Sequence, residues 1–357
     1  MTNPITRRQF SGLLAAAGLA PLAAGAAPKA AATGRRKVIL DTDPGIDDAM
    51  ALLFLHYLPG IELLGVTSTF GNHVIDVTTR NALYLVERFK IGVPVAKGVG
   101  KPLVGEYGPP PVFVHGQNGL GDVPIPDQVA TKPDPRPAPK FIIDTVRAHP
   151  GEVTLVAVGA MTNLAVALRD DPEIAGLVKE VVIMGGAFGY FGSLGNVTPA
   201  SEANIHDDPV AADEVFGAKW HVTAVGLDVT QRVEMPQDYL RALAQEAGEV
   251  GKFIWDITRF YENFYRSIGV PNIYVHDASA VAYLADPSLF KTRSGAIRVV
   301  TEGLAIGQTI QKPDNRKFPP GEWDDHPSQA ICVDVEAEKL RQLYRRTIIA
   351  GSRTLAK

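Results

Sequence analysis

The chain reads as an α/β protein: an open, mainly parallel, Rossmann-like central sheet with helices on both faces, folded as a single domain behind an N-terminal leader. Two observations predict this. Short apolar runs without alternation, such as Val38-Ile39-Leu40 and residues 153–158, recur between segments whose apolar residues fall at helical spacing, as in strands buried on both faces. Turn residues then follow the runs at the same end, as Pro44-Gly45, Gly159 and Gly185-Gly186, marking the strand-to-helix junctions where such sheets bind ligands. With 357 residues, 46% of them apolar, the chain can bury a large core. A net charge of −4 with interspersed signs and no basic stripe argues against a nucleic-acid partner.

Residues 1–32 read as an export signal and leader, and 33–357 as the folded domain. Thr6-Arg7-Arg8-Gln9-Phe10 precedes an apolar Ala/Leu/Gly-rich segment, 13–27, which contains Ala24-Gly25-Ala26. This resembles a bacterial twin-arginine signal with an A-x-A cleavage site. The apolar run is too short and too Gly-rich for a comfortable membrane span. The expectation is a periplasmic or secreted protein without membrane contact once the signal is removed. The single cysteine, Cys332, suits that compartment and excludes an intramolecular disulfide or a Cys-based zinc cluster.

The first strand runs into Asp41, Asp43, Asp47 and Asp48, four carboxylates within eight positions, and Ala49, Leu52, Leu53 and His56 stack by turn on the following helix. Residues 61–68 form a second strand that closes on Thr69-Phe70-Gly71-Asn72-His73. A helix over 76–89 and a short strand at 94–96 come next. The Pro/Gly-rich stretch 97–139 is too long for a plain connection. Phe113, His115 and Leu120 among its glycines predict an ordered cover over a site. Alternation resumes with helix 141–148, strand 153–158, helix 161–168 and strand 179–184. Asp208-Pro209 opens another helix as N-cap and first turn. After strand 221–225, residues 239–268 read as two helices whose Trp255, Phe260, Tyr261, Phe264 and Tyr265 are spaced for packing. Asp277, after strand 273–275, reads as an N-cap for helix 278–285. Segments 297–300, 305–310 and 330–335 are expected to pair as extra strands before helix 336–349.

Four acids this close raise one another's pKa unless something positive sits among them. One or two could be ordinary caps, but a hard divalent cation accounts for all four, since Ca²⁺ takes roughly 6–8 oxygen ligands, many from Asp. Polar residues gather after other strands: Asn72, then Asn196, Glu202 and Asn204, then His276-Asp277. The strand-end rule brings them to one edge of the sheet, where they could meet a polyhydroxylated ligand. Blander roles are open to several of them. Asn196, Glu202 and Asn204 could shape their loop, Met184 could be core, His276 a satisfied buried histidine, and His115 a brace for its loop.

From Lys37 onward the chain resembles the inosine-uridine preferring nucleoside hydrolases, the N-ribohydrolases. The resemblance rests on DTDPGIDDA at 41–49, FGN at 70–72, HGxxGLG at 115–121, VGAMTNLA at 158–165, EVVIMGG at 180–186, NVTPASEAN at 196–204 and VHDASAVAYLADP at 275–287. The first motif is specific; HGxxGLG or MGG alone is weak. The resemblance implies a calcium site of Asp43, Asp48, Asp277 and the Val158 carbonyl, with Asp43 also the base that activates a calcium-bound water. It places Asp47 and Asn72 near the ribose and that water, Met184, Asn196, Glu202 and Asn204 around the ribose, and His276 beside the leaving base. Asp41 is expected to support the others. The implied reaction hydrolyses ribonucleosides to ribose and free base, in a purine or pyrimidine salvage role, by a homodimer or homotetramer.

The chain departs from the family pattern in a longer loop at 187–193, where Phe188, Tyr190 or Phe191 could stack on the base or cap the site. Two other readings compete. One is an exported protein that binds ribosides in the same calcium pocket without turnover. The other is a haloacid dehalogenase-type phosphohydrolase, suggested by strand-DxD at 38–43 but disfavoured by the Pro44-Gly45-Ile46-Asp47-Asp48 that follows.

Overall fold

The computed structural model describes residues 34–126 and 128–355, so the twin-arginine-like segment lies outside the described residues. The strands are β1 (Arg36–Thr42), β2 (Ile61–Ser68), β3 (Val95–Lys97), β4 (Val153–Ala157), β5 (Glu180–Met184), β6 (Val222–Val225), β7 (Glu234–Met235), β8 (Ile273–Tyr274), β9 (Phe290–Val299), β10 (Thr309–Pro313) and β11 (Ser328–Val335). Nine of them form one sheet in the order β10-β9-β11-β6-β5-β4-β1-β2-β3. Pairing is parallel from β11 to β3 and antiparallel only at β11-β9 and β9-β10.

Why the sheet is parallel follows from its burial. Val38, Leu40, Val66, Val156 and Val182 join one buried cluster, while Ile39, Leu155, Ala157, Val181 and Ile183 join the other. Alternate residues of these strands thus enter cores on opposite faces, each covered by helices, so the central strands β4, β5 and β6 carry no exposed polar face. At roughly 1.5–3 kcal/mol per buried large aliphatic side chain, this two-sided burial is the main stabilising term. The helix Ile46–Tyr57 is buried from Ile46 to Leu55, because it sits between the sheet and the helices Asp277–Ala285 and Ala337–Leu355. Phe54 meets Tyr344 at a ring distance of 5.0 Å.

Strand order reverses at β1. The chain steps through β2 and β3 on one side and through β4, β5 and β6 on the other, which opens a crevice at the carboxyl ends of β1 and β4. Asp41 pairs with both Thr67 and Ala157 across that point, so the acidic junction stands at its mouth.

Four expectations are corrected. Residues 305–310 are mostly a turn, with Gly303 and Gly307 at positive φ, and the strand begins at Thr309. β9 starts at Phe290 rather than near 297, and the last helix continues to Leu355 because Leu340, Leu343, Tyr344, Thr347, Ile348 and Gly351 keep helical spacing on its buried face. β8 is outside the main sheet, paired antiparallel with β7, so His276 and Asp277 reach the crevice from a small separate ribbon and not from a central strand.

Candidate active site

A cavity of about 820 Å³ occupies the crevice. Asp47, Asn72, Val158, Met184, Asn196, Glu202, Asn204, His276 and Asp277 all line it. Asp43 and Asp48, each 1% exposed, lie behind Asn72. Asn72 holds both: its backbone N–H donates to Asp43 Oδ2 at 2.6 Å and its Nδ2 to Asp48 Oδ2 at 2.7 Å.

The acids are not equivalent. Asp48 accepts from Thr42 Oγ1, Asp43 N, Gly45 N and Asn72 Nδ2; burial raises its pKa, and these bonds oppose that rise. Asp41 is tied to Thr67 Oγ1 and Asn163 Nδ2 beneath the strands and is pushed up to about 7 by burial, in keeping with a supporting place. Asp43 Oδ1 and Asp47 Oδ1 are buried without a hydrogen-bond partner. Burial, then the Asp48 charge, raises the Asp43 pKa well above the usual carboxylate range. Burial and Asp48 likewise lift Asp47 to about 7, and burial with the charges of Asp47, Asp48, Asp43 and Glu202 raises Asp277. Asp277 is the first residue of its helix and its side chain makes no cap, which leaves the carboxylate for the cavity.

Oxygens of Asp47, Asp48 and Asp277 lie within 4.8 Å of one another. Among the described residues, no Lys or Arg lines the cavity. Buried carboxylates cost several kcal/mol each without a counter-charge, and all the donors on offer are oxygens, so this set fits a hard divalent cation. Asp43 stands beside the trio, and the Val158 carbonyl, at the end of β4, already accepts from Asn204 Nδ2 at 3.0 Å. Gly159 keeps this corner open: a Cβ there would come within 2.5 Å of Asp43 Oδ1.

The residues expected around a sugar are partly committed to their own loop. Glu202 caps the short helix Ala203–Asp207, accepting from Asn204 N, Ile205 N and Gly186 N. Burial nevertheless lifts it to about 7. Asn196 Oδ1 accepts from Ala203 N, and Asn204 Nδ2 donates to Val158 O and Met184 O. What faces the cavity is the remainder of each group's bonding capacity.

His276 is buried and satisfied on both nitrogens. Nδ1 meets Thr230 Oγ1 at 2.8 Å and Nε2 meets Tyr265 Oη at 2.9 Å. Tyr265 donates to Tyr261, and Tyr261 to Asp47 Oδ2, both at 3.3 Å. One tautomer suits the whole chain: Nδ1 accepts from Thr230 and Nε2–H donates to Tyr265. Burial lowers the imidazole pKa to about 4, so it is neutral near pH 7.

Several residues lining the cavity were not expected among its site residues. Tyr261, Phe264, Tyr265 and Ile268 form one stripe at the end of the helix Gly248–Ser267, against the expectation of pure packing; their i, i+3, i+4, i+7 spacing was visible, but its direction was not. Glu106, Tyr107 and Pro109 come from the long 97–139 stretch, which covers the site as expected, and His115 braces it by accepting from Ile46 N. Asp207 lines the wall beside Glu202 and is pushed up to about 8 by burial, then by the Glu202 and Asp208 charges; the sequence marked only its neighbours Asp208-Pro209, as a helix start. Phe188, Tyr190 and Phe191 do not line the cavity. The first two pack on the core, and Phe191, 65% exposed, lies under Arg232 at 4.2 Å.

Comparison with known proteins agrees with this geometry. A profile of the family described as "Inosine-uridine preferring nucleoside hydrolase" matches residues 38–342. Uridine nucleosidase 1 of Arabidopsis thaliana is 44% identical over 276 residues, 77% of this chain and 81% of that protein. A plant nucleoside hydrolase superposes with a TM-score of 0.84 at 36% identity, covering 88% of this chain and 99% of the other. The purine-preferring ribonucleoside hydrolase of Gardnerella vaginalis does so with a TM-score of 0.81 at 33% identity, over 89% and 99%.

Proposed function

The chain belongs to the inosine-uridine preferring nucleoside hydrolase family, and from that premise we propose that it is a cation-dependent glycosidase that hydrolyses ribonucleosides to ribose and free base, with Asp43 as general base. The observation that carries the mechanism is the partnerless, buried Asp43 Oδ1 beside the Asp47, Asp48 and Asp277 oxygens. Breaking the bond from C1′ to the base nitrogen builds positive charge on the sugar, which surrounding carboxylates stabilise. Asp43, raised above the usual carboxylate range, is a better proton acceptor than an exposed aspartate. Its other oxygen is pinned by Asn72 N, so Oδ1 is presented in one orientation. Ca²⁺ held by Asp48, Asp277, Asp43 or Asp47 and the Val158 carbonyl would supply Lewis-acid polarisation of a water and an anchor for the 2′,3′-diol.

At the opposite end of the reaction, a leaving base needs a proton. Tyr265, which lines the cavity, would give its hydroxyl proton to the departing nitrogen and regain one through Tyr261 from Asp47 when that carboxyl, lifted to about 7, is protonated, with His276 Nε2–H holding the phenolate in between. The apolar stripe of Phe264 and Ile268 gives a flat base a surface without fixing its hydrogen-bond pattern. An exported destination and assembly as a dimer or tetramer belong to the same proposal, read respectively by fractionation and light scattering.

The deciding experiment incubates the purified chain with inosine, uridine, adenosine and cytidine, with and without a chelator, and assays reducing sugar. Ribose release that the chelator abolishes and Ca²⁺ restores is expected, and Asp43→Asn should lower kcat roughly 10²–10⁴-fold with the melting temperature retained. Tight binding of ribosides without ribose release would favour a capture protein, and phosphate release from phenyl phosphate would replace the hydrolase reading altogether.

A further inference from the structure

The long covering stretch reaches the acidic junction through one side chain. From Val104 to Pro109 every residue except Tyr107 is exposed. Tyr107 turns inward, lines the cavity and sets its ring edge-on to the buried Phe70 at a centroid distance of 5.0 Å. Its hydroxyl donates to the Gly71 carbonyl. Burial, then the Asp207 and Asp43 charges, raises the phenol pKa above its ordinary value, so the group keeps its proton and stays a donor. Gly71 is what lets these parts meet. Its φ of +147° lies where side chains are rarely tolerated, and a Cβ there would come within 2.2 Å of Asp43 Oδ2 and 2.8 Å of Asp207 Oδ2.

The carbonyl that Tyr107 holds belongs to the same peptide unit as the N–H that holds Asp43. Asn72 N donates to Asp43 Oδ2 at 2.6 Å, and planarity fixes that N–H and the Gly71 C=O in opposite directions on one rigid plate. A donor on the carbonyl therefore sets the tilt of the N–H at the other edge and, by polarising the amide, strengthens it. Asp43 Oδ1 has no partner of its own, so its direction is inherited from Oδ2. We propose that Tyr107 is a positioning residue for Asp43, acting through the Gly71–Asn72 peptide, an inference that rests on the reading of Asp43 as general base. The phenol exchanges no proton in the reaction. Its part is to keep the carboxylate aimed, since small misplacements of a reacting group cost rate out of proportion to the distance moved.

The test is a double-mutant cycle with Asp43→Asn and Tyr107→Phe, the latter keeping the ring on Phe70 and removing only the hydroxyl. Alone, Tyr107→Phe should lower kcat roughly 3- to 10-fold, the rate equivalent of one neutral hydrogen bond, and leave KM for uridine or inosine within about twofold, with the melting temperature retained. In the Asp43→Asn background the same change should cost less than about 1.5-fold, because the group it positions is gone. Equal losses in both backgrounds would assign Tyr107 a structural role and overturn the proposal. A raised KM with kcat unchanged would also overturn it, reducing Tyr107 to a clasp for the covering stretch, as would no effect at all. The Asn72 amide, read by NMR with isotope-labelled asparagine, answers the question even without turnover: in Tyr107→Phe its proton should shift upfield and exchange faster with solvent, and an unchanged resonance would sink the peptide link. Ribose release by the wild type reports separately on the hydrolase reading.

Discussion

At the scale of single residues, the chemistry depends on which hydrogen-bonding positions are left open. Asp48 is filled by four donors, while Asp43 and Asp47 each keep a buried oxygen with none. The same accounting applies to His276, whose two nitrogens are both occupied, so that any proton it gives up travels through a hydroxyl neighbour. Tyr265→Phe removes that neighbour's oxygen and keeps its ring. The expected result is a kcat roughly 10²-fold lower on inosine or uridine, but only a few-fold lower on 4-nitrophenyl riboside, whose leaving group departs as a stable anion. Equal losses on both substrates would detach Tyr265 and His276 from leaving-group protonation.

Among the elements, the extra length at residues 187–193 is resolved by what anchors it. Asp228 accepts from Phe188 N at 2.8 Å and Tyr190 N at 2.6 Å, and Ser193 Oγ donates to Gln231 Oε1 at 2.8 Å. The loop is thereby folded down against the turn Leu227–Thr230, with Phe191 pointing to Arg232 at the surface. Phe191→Ala should change kcat/KM by less than about twofold for purine and pyrimidine nucleosides alike, since a surface contact outside the cavity is worth little; a shift in base preference would place the loop over the bound base. The aromatic lining comes instead from the helix Gly248–Ser267, whose Tyr261, Phe264 and Tyr265 turn toward the cavity while Trp255 stacks under Arg259 at 3.5 Å.

For the whole molecule, the concentration of buried acids couples stability to pH and to cation. Asp41, Asp47 and Glu202 are lifted to about 7 and Asp207 to about 8, above their unfolded values near 4. The folded state therefore binds more protons than the unfolded state across that window, and the chelated protein loses stability as pH rises through 7 to 8. His115 and His276 have the opposite sign. Burial lowers them to about 3 and about 4, so their destabilising effect enters only as pH falls below about 6.5. A divalent cation takes the place of the protons on the carboxylates. Thermal melts in chelator and in Ca²⁺ should show a cation-induced rise in Tm at least about 3 °C larger at pH 8 than at pH 6.5; a rise independent of pH would mean that the cation binds away from these acids.

Much of this was written in the linear pattern. Continuous apolar runs dictated strands covered on both sides, and four aspartates between a strand and a helix fixed where a cation and a sugar would meet, because covalent neighbours cannot be separated by folding. The tertiary structure decided the rest. It brought Asp277 to Asp47 and Asp48 by way of a small ribbon outside the main sheet, it committed Glu202 to backbone amides, and it turned one aromatic stripe into the cavity and the 187–193 loop out of it. Spacing along a chain specifies which residues share a face. What that face meets, and which polar atoms are left without a partner, depends on contacts between residues far apart in sequence, and those exist only once the sheet has closed its two cores.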